Sequence, residues 1–311
     1  MPDTTTTQPS SHDSHAAQPS PNDPHARRAS LKQKLASGRI VIAPGIYDMV
    51  SVRIADRMGF DSLYMTGFGS VASYLGVPDA GVATYTDMVN RVTAFCGAAK
   101  TPIVCDGDTG YGGLLNVAHT MRGYELAGAA GIQLEDQEFP KKCGHTPGRR
   151  VIAAEEMVKK LKVAVETRTD PDFQIIARTD ARTALGLDEA LRRGEMYAKA
   201  GADVIFIEAP ESEKELEIIG RSFDLPLFVN IVEGGKTPQL APDELQRLGF
   251  SLAIYPVAGL LAAAQALTNV YDEILARKGT GAQAANLYPF AEMCKVMGFE
   301  AVWEFDRQHA E

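Results

Sequence analysis

The run Cys105-Asp106-Gly107-Asp108-Thr109-Gly110 sets two aspartates two residues apart among glycines. In an extended chain that spacing points both carboxylates to the same side. Two anions held together repel unless a cation lies between them. Hard carboxylate oxygens, with water and substrate completing an octahedron, suit Mg²⁺ or Mn²⁺. The bland alternative at this one place is an Asx-rich turn capping a helix. Further polar groups follow other short apolar runs: Gln133-Leu134-Glu135-Asp136-Gln137, Arg178-Thr179-Asp180, Glu208 and Asn230. In FPKKCGHTPGRR (Phe139 to Arg150), Cys143 has Lys141, Lys142 and His145 around it and Arg149 and Arg150 nearby. An electropositive setting of that kind stabilises thiolate and attracts an anionic substrate, and Gly144 and Gly148 let the segment move. A solvated basic loop with an incidental cysteine is the competing reading. Cys96 and Cys294 lie in helical apolar patterns and read as small core residues.

One motif points elsewhere and is weak. Gly67-Phe68-Gly69-Ser70-Val71-Ala72 follows the strand-like SLYM and matches the G-x-G-x-x-A dinucleotide fingerprint. It follows the second candidate strand rather than the first, and no acid closes a following strand at the right distance. No GxxxxGK[ST] phosphate loop and no GxSxG elbow support nucleotide hydrolysis or serine-hydrolase chemistry.

The elements that must position these residues alternate. Apolar or β-branched runs at Ile40–Ala43, Ser62–Met65, Ile103–Asp106, Gly131–Leu134, Gln174–Thr179, Val204–Ile207, Leu227–Val229 and Leu252–Tyr255 read as eight strands. Helical periods separate them, the clearest being Ala154, Met157, Val158, Leu161, Ala164 and Val165 at spacings of three and four. Such alternation predicts a parallel sheet. AGAAGIQLED (Ala127 to Asp136) resembles AGADVIFIEA (Ala200 to Ala209), and MGFDSLYMTG resembles LGFSLAIYPV. Eight such units over about 250 residues predict a (β/α)₈ TIM barrel, with an open doubly wound sheet as the alternative. In a barrel the active site lies at the carboxyl ends of the strands, where the acids, the arginine and the asparagine fall.

Residues 1–28 carry TTTT and SSHDSH and, apart from Met1, no apolar side chain larger than alanine. We expect a disordered leader there, because it cannot bury enough surface to offset its ordering entropy. Its His12, His15 and His25 make a metal-binding tail a minor alternative. The barrel is expected over 29–280 and a helical segment over 281–311. That segment follows a long apolar helix from Val257 to about Arg277, and its large apolar groups, Phe290, Trp303 and Phe305 among them, need a surface to cover. We expect a homo-oligomer.

Composition excludes other classes. With 45% hydrophobic and 23% charged residues the chain is an ordinary globular protein, and a formal charge of −9 disfavours nucleic acid as a partner. No run reaches a membrane span and the amino terminus lacks the apolar stretch of a signal peptide, so a cytoplasmic protein is expected. Four scattered cysteines fit a reducing compartment rather than a disulfide framework.

Taken together, LYMTGFGS, LGVPDAG, CDGDTGYGG, QLEDQ, FPKKCGH and ARTDA resemble, in order, the isocitrate lyase and phosphoenolpyruvate mutase superfamily, from about Leu31 to the carboxyl terminus. KKCGH is similar to the gating loop of its lyase branch. The resemblance implies a Mg²⁺-dependent barrel, commonly a tetramer that exchanges its eighth helix between subunits. It implies that Asp106 and Asp108 serve the metal directly or through water, with Asp79 and Glu135 nearby. The catalytic set it implies is Cys143 as acid or base, with Tyr64, Lys141 and His145. Thr66 and Gly67, with Tyr64, would hold an oxo-acid end of the substrate, and Arg178, Glu208 and Asn230, with Gly144, would bind or orient the rest. Thr66 stands where serine is frequent, and either hydroxyl donates the same hydrogen bond.

The activity so implied is carbon–carbon cleavage of a 2-hydroxy dicarboxylate, of the 2-alkylmalate or methylisocitrate type, to a 2-oxo acid such as pyruvate and a carboxylic acid. Tyr255-Pro256-Val257-Ala258-Gly259-Leu260 carries no charge, which favours a 2-alkylmalate over a tricarboxylate. Oxaloacetate hydrolysis or decarboxylation ranks second, although those relatives usually place a serine where Pro256 stands. Carboxyphosphonoenolpyruvate mutase chemistry ranks third. A noncatalytic barrel that only binds a dicarboxylate is the contrasting class, and retention of both aspartates and Cys143 stands against it.

Overall fold

The computed structural model describes residues 23–144, 148–281 and 286–310. Eight strands are present: β1 Val41–Ile46, β2 Leu63–Met65, β3 Ile103–Asp106, β4 Gly131–Glu135, β5 Gln174–Thr179, β6 Val204–Ile207, β7 Leu227–Asn230 and β8 Phe250–Tyr255. All neighbours pair in parallel, and β8 closes on β1 with Val41 opposite Leu252 and Pro44 opposite Tyr255. The sheet is therefore the expected (β/α)₈ barrel and not an open sheet. Every residue of β2 to β7 is buried. Burial on both faces is why these strands are near-continuous apolar runs rather than alternating ones.

Strand side chains alternate between the two faces, and the two cores record that period. Along β6, Val204 and Phe206 join the barrel interior with Tyr64, Val104, Ile176 and Phe228, whereas Ile205 and Ile207 pack against the helices. The next inward position beyond this apolar layer is Thr66, Asp106, Arg178, Glu208 or Asn230 on the respective strands, and Glu135 on β4, where Ile132 and Leu134 face outward. The period of two thus delivers six polar side chains to one mouth. Around the sheet, helix Ala154–Thr167 buries Ala154, Met157, Leu161 and Ala164, the stripe its spacing predicts. In the repeated unit, Gly128 and Gly201 end their helices with φ of 93° and 99°, a conformation that favours glycine.

The other end of the barrel departs from expectation. Helix Pro24–Leu35 places Leu31 and Leu35 in the interior core, so ordered structure begins before residue 29. Arg27 Nη1 donates to the Cys96 carbonyl at 2.8 Å, Arg28 Nε to the Ala129 carbonyl at 2.9 Å, and Arg28 Nη1 to Asp170 at 2.9 Å. His25 pairs with the same Asp170 at 2.6 Å, so it is a docking residue and not part of a metal-binding tail. Arginines in such a segment look solvated in sequence, but here backbone carbonyls and one aspartate accept hydrogen bonds from both. Residues 1–22 of the expected leader, with His12 and His15, lie outside the described residues.

After β8, helix Ala258–Arg277 and helix Phe299–His309 bury no residue, and helix Phe290–Met297 buries only Val296. Leu275 is 70% exposed and Phe290 84%. Among the described residues no helix is long and apolar enough to cross a membrane.

Candidate active site

At the carboxyl ends of the strands lies a cavity of about 270 Å³. Tyr64, Thr66, Asp106, Cys143, Gly144, Arg178 and Asn230 line it together with Phe68, Val232, Glu233, Ile254, Pro256, Val257 and Leu261. Seven of the residues expected at the site therefore share one space. Asp79, Asp108, Glu135, Lys141 and Glu208 are buried beside them. His145 lies outside the described residues.

Asp106 ends β3, and its Oδ1 accepts the Asp108 N–H at 3.0 Å and Gln133 Nε2 at 3.2 Å. The aspartate pair is thus also an Asx turn. Asp108 itself has φ of 48°, so it is not extended as the spacing argument assumed. Aspartate is among the non-glycine residues that adopt this left-handed conformation most readily. Lys141 Nζ bridges Asp79 at 2.5 Å and Asp108 at 2.7 Å. Glu135 lies 3.4 Å from Arg178 Nε, and its other oxygen, Oε1, is buried with no hydrogen-bond partner.

Burial first, and the Asp108 charge second, push the Asp106 carboxyl up to about 6. Burial likewise raises Asp79, and raises Glu135 well above the usual carboxylate range. Burial alone would lower Lys141, but Asp108 and Asp79 hold its ammonium well above its ordinary value. Three buried cations, Lys141, Arg149 and Arg178, face six buried carboxylates, Asp79, Asp106, Asp108, Glu135, Asp180 and Glu208, and Glu135 Oε1 is orphaned. A further cation fits this charge pattern. The four expected metal residues do not form a common cage, because Asp79 and Asp108 hold Lys141. Among the described residues no three His, Cys, Asp or Glu groups gather closely enough to hold a metal by themselves. A hard cation that keeps several waters is the kind such a site accommodates.

Tyr64 donates its hydroxyl to Gln133 Oε1 at 2.8 Å, and burial raises its pKa well above the ordinary value. The surroundings expected of Cys143 change. The basic residues expected around Cys143 are engaged elsewhere: Lys141 with the aspartates, Lys142 with the Gly148 carbonyl, Arg149 with Asp180 and Arg150 with Glu138. Cys143 nevertheless lines the cavity as expected. The two glycines owe their identity to space. A Cβ on Gly67 would stand 2.6 Å from Asp106 Oδ2, and one on Gly144 would stand 2.8 Å from Glu208 Oε1. Gly67 of the fingerprint-like run therefore makes room for a carboxylate.

Arg178 is the site's central cation. Its guanidinium stacks over Phe206 at 5.2 Å and faces Asp180, Glu135 and Glu208. Burial opposes its charge, but these carboxylates raise its pKa well above the ordinary arginine value. Asn230 Nδ2 lies 3.3 Å from Glu208 Oε1. Gln133, Arg149 and Thr183 were not assigned to the site from sequence. Gln133 carried a signal, since it takes the inward position two residues before Glu135, and Arg149 stood in the basic run after Cys143, whereas Thr183 carried none.

A closed parallel barrel with buried carboxylates, an arginine and a cysteine at its carboxyl-terminal mouth defines an enzyme of the TIM-barrel class. The chain matches the family described as phosphoenolpyruvate phosphomutase over residues 31–275, and it belongs to the PEP mutase/isocitrate lyase superfamily. It is 45% identical to "2,3-dimethylmalate lyase" of Eubacterium barkeri over 91% of this chain and 98% of that one. It is 38% identical to "2-methylisocitrate lyase" of Aeropyrum pernix, covering 90% of this chain and 89% of that one. Among solved structures, oxaloacetate acetylhydrolase bound to 3,3-difluorooxalacetate superposes with a TM-score of 0.87 at 33% identity, covering 92% and 98% of the two chains. A 2,3-dimethylmalate lyase structure superposes with a TM-score of 0.86 at 32% identity, covering 91% and 95%.

Proposed function

We propose that this chain is a Mg²⁺-dependent carbon–carbon lyase that cleaves a 2-alkylmalate to a 2-oxo acid such as pyruvate and a carboxylic acid. The observation that carries the reading is the lining of the cavity: Asp106, Arg178, Asn230 and Cys143 suit a dicarboxylate, and Val232, Ile254, Pro256 and Leu261 suit alkyl substituents, with Glu233 the one other charged residue. Among the described residues that line it Arg178 is the one cation, so a tricarboxylate lacks a second.

Asp106, with Asp108 and Glu135 behind it, would hold the cation, which when bound would lower the pKa of a chelated hydroxyl, so that its proton passes to a carboxylate of this group, Glu135 Oε1 being open to take it. Arg178 and Asn230 take a substrate carboxylate, and Thr66 and the amino end of helix Gly67–Leu75 offer donors to the oxo-acid end. Tyr64, kept protonated by burial, holds Gln133 and through it Asp106. Collapse of the substrate alkoxide to a ketone breaks the neighbouring carbon–carbon bond and leaves an enediolate, whose charge Arg178 offsets. Cys143 then gives its proton to that carbon. The Cys143-Gly144 segment lies over Arg178 and Glu208, so it keeps water from the developing charge.

We place the enzyme in the cytoplasm, in keeping with its acidic composition and scattered cysteines, as a homotetramer that covers the apolar faces after β8. The test is incubation of purified protein and Mg²⁺ with 2-alkylmalates, methylisocitrate and oxaloacetate, following pyruvate, glyoxylate and oxalate, with an EDTA control. Metal-dependent pyruvate from an alkylmalate establishes the reading. Oxalate and acetate from oxaloacetate alone would overturn it in favour of hydrolysis, the alternative that the likeness to oxaloacetate acetylhydrolase keeps in view.

A further inference from the structure

Asp180 follows β5 at the position that would cap helix Ala181–Leu185, yet its side chain makes no cap bond. Aspartate is favoured at that position because its oxygen takes an orphan N–H. A fully buried aspartate that leaves the cap unmade has its oxygens committed to other donors. Arg178 forks onto it, Nε to Oδ2 at 2.9 Å and Nη2 to Oδ1 at 3.0 Å. Arg149 Nη1 donates to the same Oδ1 at 2.6 Å, and Arg149 Nη2 donates to Thr183 Oγ1 at 2.7 Å.

The two arginines belong to different parts of the site. Arg178 lines the cavity, whereas Arg149 stands near the end of the connection between β4 and helix Ala154–Thr167, the connection that carries Cys143. At the other end of that stretch the backbone of Gly144 lies against Arg178 and Glu208, and a Cβ there would meet both. Arg178 therefore touches the Cys143 segment directly at Gly144 and through Asp180 at Arg149. Asp180 is itself fixed from behind. Its N–H donates to Asp136 Oδ1 at 2.9 Å, and Asp136 Oδ2 accepts from the Thr179 and Tyr197 hydroxyls at 2.7 Å and from Arg193 at 2.9 Å. This leaves Asp180 little freedom to follow either arginine.

On the reading of the cavity given above, we propose that Asp180 is a positioning residue that sets Arg178 and the carboxyl-terminal stem of the Cys143 segment as one unit. A guanidinium already held in a fork loses little further freedom when it meets a substrate carboxylate. The same carboxylate that aims the substrate-binding arginine also fixes where the cysteine segment is anchored.

The test compares Asp180→Asn, Arg149→Met and the double variant in the full chain with Mg²⁺. Steady-state kinetics use the acid that the wild type cleaves, and iodoacetamide alkylation at Cys143 is timed by peptide mass. Asn keeps the size and one acceptor and removes the charge. Asp180→Asn should raise KM roughly tenfold or more, the loss expected of a charged bidentate contact. Both single variants should change the Cys143 alkylation rate by about threefold or more, and the double variant should go no further than the worse single one, as for residues acting as a unit. An unchanged KM or alkylation rate in Asp180→Asn, or single effects that multiply in the double variant, overturns the proposal. If circular dichroism finds Asp180→Asn unfolded, Arg149→Met and Arg149→Lys decide. Methionine must shift both readouts and lysine must recover part of the shift, and unchanged values with methionine overturn the proposal. Alkylation does not depend on turnover. A wild type that cleaves no acid of the panel therefore defeats the assignment of function while the coupling is still decided.

Discussion

Cys143 faces the cavity although the lysines and arginines of its own segment are bound to other partners. The role we propose for it rests on its place at the cavity. Cys143→Ser should lower kcat by about 10²- to 10⁴-fold, the usual contribution of a placed proton donor, and change pyruvate affinity little. Calorimetry alongside kinetics checks both halves, and a serine variant with wild-type turnover removes Cys143 from the reaction. Asp106 gives a pH prediction. Burial, then Asp108, raises its carboxyl to about 6. In the metal-free protein the folded state thus holds this proton more tightly than the unfolded chain. The contribution to stability is full below the ordinary aspartate pKa and is lost as pH rises through about 6. A cation at Asp106 competes with the same proton, so Mg²⁺ affinity should fall roughly tenfold per pH unit below 6. Titrations at pH 5 and 7.5 decide this, and equal affinities would sink the assignment of Asp106. Sequence placed Asp79, Asp106, Asp108 and Lys141 in one region. It did not pair Lys141 with the two aspartates, because that contact depends on how the β4 connection folds back over the mouth, and no local spacing encodes it.

At the scale of elements, the strands were legible because a parallel sheet buried on both faces leaves unbroken apolar runs. Their inward positions followed from the period of two, which is why Thr66, Asp106, Glu135, Arg178, Glu208 and Asn230 meet. Helix Pro24–Leu35 was legible only in its second half. Leu31 and Leu35 are apolar, but its first half is seated by Arg27 and Arg28 on carbonyls of remote segments, and charged side chains carry no sign of such partners in sequence. Arg28→Ala removes one partner of Asp170, which keeps His25, and should cost roughly 1–3 kcal/mol, as for a lost hydrogen bond to a charged group. Thermal unfolding should register that loss, while kcat stays near wild type because Arg28 sits at the opposite end of the barrel. An unchanged melting temperature would show that the helix is held by its leucines alone.

The whole molecule presents large apolar side chains along the helices that follow β8: Leu267, Tyr271, Leu275, Phe290 and Trp303 are all about half exposed or more. Soluble monomers rarely leave such a surface uncovered. We expect sedimentation to find a tetramer, and the pair Leu267→Glu and Leu275→Glu to shift it to smaller, less stable species. A monodisperse monomer in the wild type would contradict the assembly we propose. The apolar pattern announces that these helices need a cover, but what covers them is a property of other copies and not of one chain's spacing.

The pairing of β1 with β8 also has a consequence in time. Val41 finds Leu252 only after nearly the whole barrel has left the ribosome, which at about 5–20 residues per second takes roughly 10–40 s. Throughout that interval β1 is an open strand edge in a crowded cell. That edge disappears only when Tyr255 comes to lie opposite Pro44.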